Sequence, residues 1–151
     1  GWSQKEITNL KYAAYLHDIG KVGTPDTILN KPTRLTEEEY AIVKNHPVIG
    51  AEILKNITLI DHVVEVARNH HERYDGLGYP DGLKGDEIPI SAQIVSVADV
   101  YDALVSERVY KKAYSHEKAM EMILNGECGI FNPVLVECLK DIQDELVKGV
   151  E

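Results

Sequence analysis

Two neighbouring pairs, His17-Asp18 and His70-His71, are the side chains of this sequence best suited to chemistry. Each sets two potential metal ligands side by side, one pair after the apolar segment ITNLKYAAYL and the other after VVEVARN. His46 and Asp99 add another imidazole and another carboxylate. Adjacent residues on a helix point about 100° apart, so neither pair suits chelation of one ion; two neighbouring ions, or a frayed helix end, fit better. One carboxylate can bridge two cations about 3.5–4 Å apart, and cations so placed draw the pKa of bound water toward about 7. That chemistry suits in-line attack on phosphorus. The set mixes nitrogen and oxygen ligands without thiolate, which is compatible with Mn, Fe, Co, Ni or Zn. A lone histidine would carry little weight, but these four fall at helix ends or beside loops. His62, just after a cap, and His116, in the first turn of a surface helix, do not, and both are expected to be solvated.

The elements that must position these residues read as helices throughout. Ser3-x-x-Glu6 is a capping box, and Ile7, Leu10, Ala14, Tyr15 and Leu16 follow at the spacing of one apolar face, with Gly20 as the stop. Residues 22 to 35 read as a loop holding at most one short turn, Asp26–Leu29. Thr36-x-x-Glu39 is a second capping box, opening a helix through Val43 that breaks at His46-Pro47 before another over Val48–Leu54. Asp61 is expected to cap a helix with Val63, Val64, Val66 and Ala67 inward, running to His70-His71. Residues 73 to 87 form a long loop with four glycines, of which Gly76, Gly78 and Gly82 would let it approach a bulky ligand. Pro89 opens the longest helix, about 90 to 107, with a core stripe of Ile94, Val97, Ala98, Tyr101, Leu104 and Val105 and with Asp99 and Asp102 on its other side. Ser115 caps a short helix closed by Gly126, and Asn132-Pro133 opens the last, with Val134, Leu135, Leu139, Ile142 and Leu146 inward. The expected fold is therefore all-α, a bundle of five to seven helices in a single domain.

Composition narrows the function classes. A chain of 151 residues with 44% hydrophobic residues supports one core. Its formal net charge of -9 argues against gripping a long nucleic acid, which needs a basic face. Bound divalent ions would instead supply positive charge locally. Cys128 and Cys138 fit neither a disulfide framework nor a zinc knuckle and read as reduced, buried thiols. With no apolar run of membrane-spanning length and no signal-like segment, a cytoplasmic setting without membrane insertion is expected.

HDIGK at 17 to 21, HPVIG at 46 to 50, HHERYDGLGYP at 70 to 80 and IPISAQIVSVADVYDALVSERVY at 88 to 110 resemble the HD-GYP domains, the branch of the HD phosphohydrolases that hydrolyses cyclic di-GMP. The resemblance runs from about residue 7 to 140. It implies metal ligation by His17, Asp18, His46, His70, His71 and Asp99, with two divalent ions, Fe or Mn. It implies Lys21 beside the scissile phosphate, Tyr79 and Pro80 at the pocket rim, and Arg108 and Lys111 on the dinucleotide. Lys21 lies just past Gly20, so its ammonium can reach back over the metals to a phosphate. Glu72, Asp75 and Asp102 read as groups that orient imidazoles. Family members usually carry a preceding helix whose His, and in some a Glu, completes the metal site. Here sixteen residues precede His17 and none is histidine, so this domain, 1 to 151, is expected to lack that helix. Asn132 replaces a common Asp, with no expected consequence, since both cap helices well. The implied activity is a metal-dependent phosphodiesterase giving linear pGpG or GMP, in a protein that also carries sensor, receiver or GGDEF domains. The alternatives are a catalytically impaired module that binds cyclic di-GMP or a partner protein, and an HD hydrolase of another nucleotide.

Overall fold

In a computed structural model describing residues 1–56, 60–107 and 112–148, the chain is all-helical. The helices are α1 (Gln4–Leu16), the single turn α2 (Asp26–Leu29), α3 (Glu37–Val43), α4 (His46–Lys55), α5 (Val63–Asn69), α6 (Ile90–Val105), α7 (His116–Leu124) and α8 (Pro133–Lys148). Seven helices longer than one turn fall within the expected range. No helix among the described residues is long and apolar enough to cross a membrane.

Both capping boxes form. Ser3 accepts from the Glu6 amide while Glu6 accepts from that of Ser3, and Thr36 and Glu39 do the same. Ser115 caps α7 through the Lys118 amide. The break before α4 comes earlier than expected: the helix starts at His46 itself, because a proline in the first turn gives up an amide that would have no helical partner anyway. Asp61 is not the cap of α5. That position falls to His62, in the left-handed region at φ 71°, while the Asp61 carboxylate accepts from Asn9 across to α1. His62 is not solvated either: its Nδ1 lies 2.7 Å from Glu65 and its ring stacks on Trp2. His116 is likewise engaged, its Nδ1 2.8 Å from the Tyr101 hydroxyl.

Two apolar clusters hold the bundle, and α6 belongs to both. Ala13, Leu54, Val63, Val66, Ala67 and Val95 join α1, α4, α5 and the first half of α6. Val97, Tyr101, Leu104, Met120, Ile123 and Leu139 join its second half to α7 and α8. The expected stripe on α6 is thus only partly right. Ala98 is exposed and Ile94 half-buried, because they face an apolar groove of about 220 Å³ shared with Leu135, Cys138, Ile142 and Leu146. For the same reason Ile142 remains 44% exposed, and Val134, at 68%, points away from the core altogether. Cys138 is exposed and Cys128 half-buried, so neither thiol is buried as expected.

Gly20 does not stop α1 by a left-handed turn. The helix ends at Leu16, His17 follows as its C-cap, and a 3-10 turn runs over Ile19–Gly23. What requires glycine is contact: a Cβ on Gly20 would sit 1.8 Å from the His46 carbonyl oxygen and 2.5 Å from the Gly50 nitrogen. The backbone after His17-Asp18 is therefore pressed onto the start of α4, which carries His46.

Candidate metal centre

Three helix termini and one helix side converge on one place. His17 and Asp18 follow α1, His46 opens α4, His70 and His71 follow α5, and Asp99 projects from the middle of α6. In three of the imidazoles Nδ1 lies against a backbone carbonyl: His17 at 2.5 Å from Ala14, His46 at 2.7 Å from Val43, and His70 at 3.0 Å from both Val66 and Ala67. A carbonyl only accepts, so each Nδ1 carries the proton and each Nε2 presents a lone pair to the site. This is the arrangement by which backbone groups fix ligating histidines.

Asp18 occupies the centre. Its Oδ1 lies 3.2 Å from His46 Nε2 and 3.6 Å from His70 Nε2, and its Oδ2 lies 3.4 Å from His17 Nε2. His17 Nε2 is also 3.5 Å from Asp99 Oδ1. The donor atoms of Asp18, His46, His70 and His71 all lie within 4.8 Å of one another. His46 Nε2 and His70 Nε2 face each other at 3.3 Å. Two lone pairs at that distance repel unless a cation lies between or beside them. His17 Nε2 and Asp18 Oδ1 are, moreover, buried without any hydrogen-bond partner. Orphaned acceptors of this kind are costly in a protein interior, and a divalent cation satisfies them together. The donor set therefore fits a metal.

Electrostatics keep Asp18, Asp99 and His71 in ligating form. Burial tends to raise the pKa of Asp18, but His46, His70, Lys21 and His17 outweigh it and hold the carboxyl well below the ordinary range. His17 likewise holds Asp99 down against burial. Burial, reinforced by His70 and His46, pushes His71 down to about 3, so its imidazole is neutral and free to donate a lone pair. Burial disfavours a charged His17, yet the facing Asp99, the Ala14 carbonyl and Asp18 raise it on balance, so a metal there displaces a proton.

The Lys21 ammonium lies 2.5 Å from Asp18 Oδ2. Tyr79 stacks on His71, centroids 4.9 Å apart and planes at 21°, and burial with the neighbouring Tyr40 holds its phenol protonated. Pro80 follows through a cis peptide bond. Beside the metal centre a cavity of about 320 Å³ is lined by His70, His71, Tyr79, Tyr40, Ser96 and Phe131, among others. Arg108 and Lys111 lie outside the described residues.

The three acids expected to orient imidazoles do other work. Asp102 accepts from the Ser106 hydroxyl, and Asp75 pairs with Arg73 and caps the Leu77 amide. Glu72, 4% exposed, accepts from the backbone amides of Asp81, Gly82 and Leu83 at 2.6, 3.2 and 3.0 Å. It therefore ties the loop after Tyr79-Pro80 back to the residue following His71. Gly78 serves the same closure rather than substrate access, since a Cβ there would meet the Arg73 nitrogen at 2.3 Å and the His71 oxygen at 2.5 Å. Arg68 adds a two-pronged ion pair to Asp81 at 2.8 and 2.7 Å. Glu72→Gln keeps the shape but removes the charge behind three amide contacts, and should cost roughly 1.5 kcal/mol in chemical denaturation. It should also speed protease cleavage within residues 76 to 83; an unchanged cleavage rate would deny Glu72 this role.

Tyr40 and Lys44 are site residues that the sequence reading missed. Lys44 lies over the ring of Tyr40 at 5.1 Å and over that of Tyr79 at 5.9 Å. The Lys/Tyr spacing of four on a capped helix was the available signal, but the partner, Tyr79, is distant in sequence.

Residues 1–128 match the HD domain family. A cyclic di-GMP phosphodiesterase of Vibrio cholerae serotype O1 is 44% identical over 148 residues, covering 93% of this chain and 30% of that protein. A 3'3'-cGAMP-specific phosphodiesterase of the same organism is 42% identical over 149 residues, covering 97% of this chain and 28% of that protein. The chain thus spans under a third of either relative. Among solved structures, Bd1817, described as an HDG"Y"P protein from Bdellovibrio bacteriovorus, superposes with a TM-score of 0.71 at 25% identity, over 94% of this chain and 44% of that one.

Proposed function

This chain belongs to the HD domain family, in its HD-GYP branch, and from that premise we propose that it is a metal-dependent phosphodiesterase hydrolysing cyclic di-GMP to linear pGpG and GMP. The observation that carries the reading is Asp18, whose two oxygens face different ligand groups: His46 and His70, beside His71, on one side, and His17, backed by Asp99, on the other. A carboxylate so placed suits two divalent ions, Fe or Mn, and when bound these supply Lewis-acid activation of water and charge neutralisation at the phosphate.

The chain's own residues do the rest. Water adds to phosphorus and the bond to the 3′ oxygen breaks, leaving a 5′-phosphate end and a 3′ hydroxyl. Lys21, held beside Asp18, neutralises charge developing on the non-bridging oxygens. His17, His46 and His70 need no rearrangement, because their Nδ1 protons are already committed to carbonyls. Tyr79 and Pro80 form the rim over His71. Arg108 and Lys111 contact the dinucleotide in the reading that the family resemblance supports. Since the curated relatives are far longer, we also propose that this domain works with receiver, sensor or GGDEF domains in a cytoplasmic signalling protein.

A related cyclic dinucleotide is the second reading, favoured by the similarity to a 3'3'-cGAMP-specific enzyme. Chromatography of reactions with each cyclic dinucleotide, with Mn or Fe supplied, separates the readings. The expected result is linear and mononucleotide product from cyclic di-GMP, lost on chelation. Tight binding with no product would instead identify a non-catalytic module, and cleavage only of a mononucleotide another HD hydrolase.

A further inference from the structure

Lys44 is a half-buried basic side chain for which the machinery above gives no task. Among the described residues, seven basic side chains pair with carboxylates, Lys21, Arg68 and Arg73 among them. Lys5, Lys11, Arg34, Lys84 and Lys112, which lack such a partner, are exposed, whereas Lys44 is half-buried. A half-buried ammonium gains from a counter-charge, and in a chain of net charge -9 carboxylates are plentiful enough to have supplied one. Lys44 is steadied by aromatic faces instead. It lies over Tyr40 and Tyr79, and Tyr79 stacks on His71, so the four side chains form a continuous row leading out from the metal ligands. Tyr40, Tyr79 and His71 also line the cavity of about 320 Å³. The row thus sets a cation next to two of the side chains that line the cavity.

We propose that Lys44 holds the second phosphate of a cyclic dinucleotide, the one not being cleaved, with Tyr40 beneath it. This rests on the phosphodiesterase reading above. A cyclic dinucleotide carries two phosphodiesters in one ring, so when one meets the metal centre the other is held away from it and needs its own cation. Lys21 cannot serve both, because its ammonium is 2.5 Å from Asp18, so Lys44 shares the part of the dinucleotide away from the metals with Arg108 and Lys111, which the family resemblance places on it. Lys44 therefore selects for a substrate with two phosphates over a simple phosphodiester.

The test compares Mn- or Fe-loaded wild type with Lys44→Gln and Lys44→Arg on cyclic di-GMP and on bis(p-nitrophenyl) phosphate, which has a single phosphate. In Lys44→Gln the ratio of kcat/KM for cyclic di-GMP to that for bis(p-nitrophenyl) phosphate should fall about tenfold, the effect of one charge-assisted contact, through KM rather than kcat. Lys44→Arg should restore most of it. An unchanged ratio, or an equal fall on both substrates, overturns the proposal, the second pointing to a merely structural role. Wild type that cleaves bis(p-nitrophenyl) phosphate but no cyclic dinucleotide overturns the functional reading itself, and is seen before any variant is compared.

Discussion

Asp18→Ala abolishes metal retention and lowers phosphodiester turnover by about a thousandfold or more, while the helical fold persists. The size follows from where the carboxylate stands. Asp18 faces His46, His70 and His17 together, so its loss removes the carboxylate that faces both halves of the ligand set. His46 and His70 then face each other at 3.3 Å with no negative charge beside them, and Lys21 loses its partner. The fold persists because Asp18 lies in neither apolar cluster. Asp18→Asn separates charge from shape. It keeps an oxygen in place but cannot bridge as an anion, and should lose nearly as much activity. Elemental analysis of the purified variants, circular dichroism and a turnover assay check all three points. Retained metal with retained turnover in Asp18→Ala would remove Asp18 from the centre.

Gly20→Val damages the protein differently, by forcing two backbones apart. A Cβ at residue 20 would lie 1.8 Å from the His46 carbonyl oxygen and 2.8 Å from its carbon. These are backbone atoms at the start of α4, and they cannot rotate away as a side chain would. The turn after His17-Asp18 must therefore separate from α4. We expect a loss of roughly 3 kcal/mol or more, a fall in Tm of about 10 °C, together with weakened metal binding as His46 moves off Asp18. Gly23→Ala is the contrast, since there the obstructing atom is the Ile49 Cδ1 at 2.8 Å, the end of a flexible side chain. It should stay within about 1 kcal/mol of wild type. Equal stability of Gly20→Val and wild type would show that the close approach is not required.

The candidate metal ligands could be read from the sequence because their neighbours announce them. Capping boxes and apolar spacing mark where α1 and α3 begin and where α1 and α5 bring their ligands, and the pairs His17-Asp18 and His70-His71 are adjacent, so local structure alone puts them at helix ends. His46 was equally legible through Pro47. What could not be read depends on distant partners. Gly20 looked like a helix stop, yet it is glycine because of His46 and Gly50, some thirty residues away. Glu72 looked like an imidazole partner because it follows two histidines, while its carboxylate turns toward amides of residues 81 to 83. Asp61 had the right type and place for a cap, but a left-handed His62 took the position and Asn9 claimed the carboxylate. On α8 the apolar spacing is real, and Val134 and Ile142 are nonetheless exposed, because periodicity shows which face is apolar and not how much of it a neighbour covers.

Turnover of cyclic di-GMP measured against metal bound per chain, from metal-free protein to saturation with Mn or Fe, tests the central claim most directly. The account predicts no product without metal and a rate that rises to a plateau as two ions bind. Turnover by the metal-free chain, or a fully loaded chain that cleaves no phosphodiester, would contradict it.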